Sequence, residues 1–186
     1  MHIVVLVKAV PVVGTERLDA AWRTQRTQLE ANGADEYTLE RALALTEAHG
    51  GEVTLLSMGP APAVDALRKG LAMGAHKGVL VSDPALVGSD YTSTVAALVA
   101  ALERLEYDLV LAGFDTSDGV GGVVGAAIAT KLKLPYISSA ASIDSALARD
   151  STGHHGIAVG DADGDGLDDV YVAQPYGFPD RFFRAR

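Results

Sequence analysis

The sequence predicts an α/β fold: an open parallel β-sheet with helices on both faces, followed by a short C-terminal β-hairpin-like appendix. Three observations carry this. Short runs rich in Val, Ile and Leu recur through the first 114 residues. They do not alternate polar with apolar, as expected of strands buried on both faces. Longer stretches of helical periodicity separate them, and strand–helix alternation implies right-handed crossovers and a parallel sheet.

The predicted strands are "HIVVLVK" (2–8), "EVTLLSM" (52–58), "KGVLVSD" (77–83) and "DLVLAGF" (108–114). Between the first two lies "ADEYTLERALALTEAHGG". Asp35 and Glu36 suit the positive end of its helix dipole, and Gly50-Gly51 suit its C-terminal cap. "PAVDALRKGLAMGA" places Val64, Leu67 and Leu71 on one stripe. "SDYTSTVAALVAALERLEY" places Val95, Leu98, Val99, Leu102 and Leu105 on one face, with Ser89 or Asp90 as N-cap. "GGVVGAAIATKLKL" reads as a fourth helix ending before Pro135, with a fifth short strand expected at "PYISS". Trp22 is expected to be a packing residue. From about residue 140 the composition turns small and polar, so the expected division is a domain over 1–140, a linker over 141–155 and an appendix over 156–186.

A hydrophobic share of 48% and a charged share of 21% are those of a globular protein with a sizeable core. The net charge of −9 argues against nucleic acid as a partner. The chain has no cysteine, which excludes disulfides, thiolate metal sites and cysteine nucleophiles. The opening "MHIVVLVKAVP" has its lysine inside the apolar run and reads as a buried strand rather than a signal peptide. No run approaches the length of a membrane span.

Ligands of open parallel sheets bind beyond the carboxyl ends of the strands. There stands "AGFDTSDGVGGVVGAAIA" (112–129), a strand end, a glycine-rich loop and a helix start. Glycines let a ligand approach the backbone, and free N–H groups at a helix start suit a phosphate. The alternative is a tight turn needing glycine only for its dihedral angles. The loop has neither the Gly-Lys-Ser/Thr ending of a Walker A motif nor a strict G-x-G-x-x-G. Asp118 reads as a cap of the following helix, with a general base as the alternative. Lys8 would contact phosphate or extend past its strand end to water.

Together "IVVLVKAVP", "NGADEYTLERAL" (32–43), "EVTLLSMGP" (52–60), "ALRKGLAMGAHKGVLVSD" (66–83), "LVGSDYTSTVAAL" and "DLVLAGFDTSDGVGGVVGAAIATKLKLP" (108–135) resemble the β subunit of the electron transfer flavoproteins, in a bacterial branch. The resemblance covers about residues 1–140. It implies a Rossmann-like, adenine-nucleotide-binding domain that holds AMP or, in electron-bifurcating relatives, the adenine part of a second FAD. The implied adenine pocket is Leu6, the segment Asn32, Gly33, Ala34 and Asp35, and Met58. The implied phosphate loop runs through Phe114, Asp115, Thr116, Ser117, Asp118, Gly119, Val120, Gly121, Gly122, Val123, Val124 and Gly125. Phe114 departs from the polar residue common at that position. The resemblance further implies a cytoplasmic electron carrier rather than an enzyme in its own right. It would pair with an α-like subunit that shares the FAD, with acyl-CoA or other dehydrogenases as indirect partners. The family's chain continues well beyond the region matched here. The second reading is a stand-alone adenine-nucleotide-binding protein of the universal-stress type.

Near the C-terminus, "GDADGDGLDDVYV" sets Asp161, Asp163, Asp165, Gly166, the Leu167 carbonyl and Asp169 at positions one, three, five, six, seven and nine of a Ca²⁺ loop. Val172 stands where an EF-hand needs its bidentate glutamate. The segment instead resembles one FG-GAP/VCBS repeat, with strands expected at Ile157–Val159 and Val170–Ala173; a calcium-binding repeat fragment is thus a third reading. His154 and His155 read as linker residues rather than metal ligands.

Overall fold

The computed structural model describes residues 1–138, 140 and 143, and the backbone of three strands at 156–160, 169–173 and 181–183. In chain order the elements are β1 (His2–Leu6), β2 (Ala9–Pro11), β3 (Leu29–Ala31), α1 (Gly33–His49), β4 (Glu52–Met58), α2 (Val64–Met73), β5 (Lys77–Val81), α3 (Tyr91–Leu102), β6 (Leu109–Ala112), α4 (Val124–Leu132), β7 (Gly156–Gly160), β8 (Asp169–Ala173) and β9 (Arg181–Phe183). The chain divides into two compact units, Met1–Ile128 and Ala129–Arg186.

The first unit is built on a parallel sheet of order β5–β4–β1–β6. Val4 of β1 stands opposite Thr54 of β4 on one side and Val110 of β6 on the other. Helices α1 and α2 step the chain in one direction along the sheet, from β1 to β4 to β5. The connection through α3 reverses direction to reach β6. Right-handed crossovers therefore put α1 and α2 on one face and α3 on the other. As predicted, this is a parallel sheet flanked by helices.

Burial follows strand position. Ile3, Val4, Val5, Val53 and Leu55 are wholly buried in the two central strands, each contributing about 1.5–3 kcal/mol of apolar burial. The expectation that all four strands are covered on both faces fails at the margins. Lys77 and Gly78 of β5 are exposed, and Leu109, Val110 and Leu111 of β6 are half-buried. A marginal strand has a neighbour on one side only, so less of each residue is covered.

Helix α1 starts with Asp35 and Glu36 in its first turn and ends at Gly50, whose φ is 73°. In α2 the buried residues are Ala66, Leu67 and Gly70. The expected Val64–Leu67–Leu71 stripe is thus displaced, with Val64 half-buried and Leu71 exposed. The cause is a close approach: a Cβ on Gly70 would overlap Leu55 Cδ1 and lie 3.2 Å from Leu39 Cδ2. Leu67 and the small Ala66–Gly70 edge face the sheet, while Val64 and Leu71 are left at its margin. Asp90 caps α3 by accepting from Ser93 N at 2.8 Å. Val95, Leu98 and Leu102 are its buried residues. The helix stops short of the predicted end because Arg104 N and Leu105 N turn back to Ala101 O and Leu102 O, three residues earlier.

Three further features depart from expectation. No strand forms over Pro135–Ser138 of "PYISS"; Pro135 has no N–H to give to a ladder. An antiparallel pair that short-range pattern does not show, β2–β3, pairs Val10 with Glu30 and Pro11 with Leu29. The excursion between them carries Trp22, which is 83% exposed and has φ 59° rather than packing in the core. The turn is set by Asp19, whose carboxylate accepts Ala21 N at 2.8 Å and Arg23 N at 2.9 Å, and Trp22 takes the left-handed position this requires.

In the second unit β7, β8 and β9 form an antiparallel meander in which Val159 pairs with Val170 and Tyr171 with Phe182. The expected hairpin is present with a third strand added. His154, His155, Asp161, Asp163, Asp165 and Leu167 lie outside the described residues, and Asp169 is described only as the first backbone position of β8. Among the described residues no helix is long and apolar enough to cross a membrane, and no group of three or more His, Asp or Glu side chains is placed to hold a metal ion.

Candidate functional site

Strand order reverses at β1, with β4 on one side and β6 on the other. The carboxyl ends of β1 and β6 therefore border the crevice where such sheets take ligands. Leu6 ends β1, paired with Leu56 and Ala112, and is buried. Met58 ends β4, half-buried.

The start of α1 closes over this crevice. Asn32 is 97% shielded from solvent (3% exposed), yet its side chain makes no cap bond to its own helix. It reaches the loop after β6 instead. Its Nδ2 donates to Asp115 O at 2.9 Å and its Oδ1 accepts from Ser117 N at 3.2 Å. One buried side chain thus fixes the entry of the glycine loop.

Asp35, one turn on, is buried and accepts from Lys8 N at 2.8 Å. Burial pushes its carboxyl up to about 6, against the hydrogen bonds from Lys8 and Asn32 that favour the charged form. Its neighbour across the crevice must be glycine, since a Cβ on Gly113 would overlap Asp35 Oδ1 and crowd Ala34. Gly33 and Ala34 complete the segment, with Gly33 the first residue of α1.

The loop has a fixed half and a free half. In the fixed half Asp118 accepts from Lys8 Nζ at 2.7 Å and from Arg26 Nη2 at 2.9 Å, and Lys8 Nζ also donates to Thr116 Oγ1 at 3.2 Å. Burial works to raise the Asp118 carboxyl, but the Lys8 bond and charge, the Thr116 hydroxyl and the Arg26 charge outweigh it and hold the carboxyl below its ordinary value. Asp118 is therefore neither of the two roles read from sequence. Helix α4 begins at Val124, too far along for Asp118 to cap it, and a carboxylate held by two cations is a poor base. Lys8 turns inward to Asp118 rather than out to water. Arg26 is the residue the sequence reading missed. It sits in no motif, and only the β2–β3 pairing brings it to the loop.

In the free half, Gly119 N and Val120 N both turn back to Thr116 O. Val120 has φ 43° and Gly122 φ 57°, with Gly121 between them not in that region. Alternation of this kind is a feature of backbone nests, in which successive N–H groups point to one side. The N–H groups of Gly121, Gly122 and Val123 have no partner among the described residues. A Cβ on Gly121 would meet nothing nearer than 3.9 Å, so the space over this stretch is open. Val124 and Gly125 form the first turn of α4, and its N-terminus adds a positive partial charge. Phe114 and Val120, 68% and 70% exposed, flank the loop with apolar surface.

The first unit is thus a parallel α/β sheet of the open, doubly wound class, with a fastened glycine-rich loop at the point where its strand order reverses. The particular family is shown by comparison: the chain belongs to the electron transfer flavoprotein domain family, which matches residues 22–174. That match runs through the segment read as a linker and ends within the one read as a calcium-loop repeat. The chain is 39% identical over 141 residues to the electron transfer flavoprotein subunit beta of Thermoanaerobacterium thermosaccharolyticum, covering 74% of this chain and 54% of that protein. It is 40% identical over 155 residues to protein FixA of Azorhizobium caulinodans, covering 77% and 55%. It is 41% identical over 147 residues to the subunit beta of Mycobacterium leprae, covering 74% and 55%. The chain spans about half the length of the curated relatives it matches.

Proposed function

We propose that this chain is an electron transfer flavoprotein β-like subunit that binds AMP, or the adenine part of FAD, at the carboxyl edge of its sheet and supports electron transfer with an α-like subunit. The observation that carries the reading is the open stretch Gly121–Val123, whose N–H groups lie beside the start of α4 without a partner among the described residues. The residues fit a phosphate. Gly121 leaves room for close approach, and the N–H groups and helix end supply the donors. The cluster of Lys8, Arg26 and Asp118 sums to one positive charge beside the loop. We place the adenine against Leu6, Asn32–Asp35 and Met58, at the adjoining strand ends.

A bound flavin would supply the redox chemistry; this chain would hold the adenine nucleotide, orient it, and present the sheet edge to the partner. The relatives' printed names, a subunit beta in two organisms among those compared, support a role in an assembly. The test is to purify the chain, release any ligand by heat, and identify it by chromatography and mass. AMP, ADP or FAD near one per chain supports the proposal. If the protein is free of nucleotide and micromolar to millimolar AMP and FAD both fail to bind it, the proposal is wrong.

A further inference from the structure

The geometry points to Arg26 as a positioning residue that latches the β2–β3 arm onto the glycine loop through Asp118, so that the order of the arm and the occupancy of the loop are coupled. Arg26 lies in the excursion between β2 and β3, far from the loop in sequence. Its guanidinium makes a fork. Nη1 donates to Ala9 O at 3.0 Å, at the start of β2, and Nη2 donates to Asp118 Oδ2 at 2.9 Å. The planar fork reaches the two acceptors through separate, rigidly oriented nitrogens, whereas an ammonium would have to reach both from a single nitrogen.

Asp118 has a side chain only 7% exposed, while Arg26 and Lys8 remain about a third exposed. A nearly buried carboxylate that lost a cation would carry an imperfectly compensated charge. The loop backbone would then shift to bring Asp118 to water. Lys8 also bonds the loop, at Asp118 and Thr116, but among the described residues it is Arg26 that ties it to the β2–β3 arm. The Lys8 ammonium also lies beside Gly119, where a Cβ would stand 3.6 Å from it. The fixed half of the loop sets where the Gly121–Val123 N–H groups point. Arg26 therefore acts on a ligand without touching it. Coupling is reciprocal: a phosphate that orders the loop must also order the arm.

The sole tryptophan, Trp22, stands exposed in the same excursion and reports on the arm without a label. The experiment compares the full chain with Arg26→Gln and Arg26→Lys. It uses hydrogen exchange of residues 116–120, Trp22 fluorescence anisotropy, and calorimetry with AMP and with adenosine. Without ligand, Arg26→Gln is expected to speed exchange in the loop and lower the Trp22 anisotropy, and Arg26→Lys to do so less. AMP is expected to raise the anisotropy of the wild type. The AMP affinity of Arg26→Gln should fall about tenfold, while adenosine, which lacks the phosphate, binds both alike. The affinity arm rests on the nucleotide reading above; the ligand-free arm does not. If loop exchange in Arg26→Gln equals that of the wild type, the latch is overturned whatever binds. If AMP and adenosine weaken equally, Arg26 supports the fold and does not position the loop. Failure of the wild type to bind AMP would overturn the proposed function instead, and the ligand-free comparison would still decide the latch.

Discussion

Asp35 and Asn32 share one turn of chain, and the fold uses them in opposite ways. Asp35 carries a carboxyl raised from 3.8 to about 6 by burial. In that interval the folded protein keeps a proton that the unfolded chain has released, so stability falls as the pH rises. The contribution is at its most favourable below the unfolded value, is lost progressively up to about pH 6, and is flat above. Its full size is roughly two pKa units, or about 3 kcal/mol. Asp35→Asn keeps an acceptor for Lys8 N without the charge. It is expected to be more stable than the wild type at pH 7, by up to about 3 kcal/mol, and no more stable near pH 4. Urea melts of both proteins at the two pH values check this; a gain of the same size at both would show that ionisation of Asp35 carries no penalty. Asn32 is the converse case, a buried amide fully used. Asn32→Ala strands Asp115 O and Ser117 N and should cost about 1–3 kcal/mol. It should also weaken AMP more than adenosine, because the bonds it removes fasten the phosphate loop. Equal losses for the two ligands would place the role of Asn32 in the adenine pocket alone.

At the scale of elements, α2 shows what a one-dimensional pattern misses. The larger side chains suggested a stripe through Leu71, but the helix approaches the sheet so closely that Gly70 and Ala66 share the contact with Leu67 and Leu71 is left exposed. Gly70→Ala should therefore destabilise the fold by about 1–3 kcal/mol through overpacking against Leu55 and Leu39, despite its better helix propensity. A chemical denaturation curve showing a gain would mean the helix can move away freely. The four parallel strands and four helices were legible because the strands are local apolar runs and the helices periodic stretches, several with glycine, proline or aspartate at their ends, such as Asp90 before α3 and Gly50 after α1. The β2–β3 pair was not legible. Its strands are three residues each, one contains Pro11, and what holds them is a ladder between segments far apart in sequence. The turn at Trp22 was misread for a related reason: an aromatic side chain suggests burial, but Asp19 dictates the backbone there.

For the molecule as a whole, the site was legible as a place and not as a mechanism. Topology alone puts strand ends and the glycine loop at one edge, so the stretch 112–129 stood out in the sequence, and the family resemblance narrowed it to Phe114–Gly125. The division of that loop into a half tied down by Asn32, Lys8 and Arg26 and a half left open depends on side chains brought together across 83 to 110 positions of sequence. The account stands or falls on whether the open half receives a phosphate. Gly121→Val tests this most directly, because a Cβ there meets no neighbour within 3.9 Å and has no left-handed dihedral to disturb. The substitution should leave the empty protein folded while filling the space a phosphate needs. Calorimetric titration with AMP, alongside a thermal melt, is the measurement. The account predicts one AMP per wild-type chain, at least a tenfold loss of affinity in Gly121→Val (about 1.4 kcal/mol), and the same melting temperature without ligand. Equal AMP affinity in the two proteins, or no AMP binding by either, would contradict it.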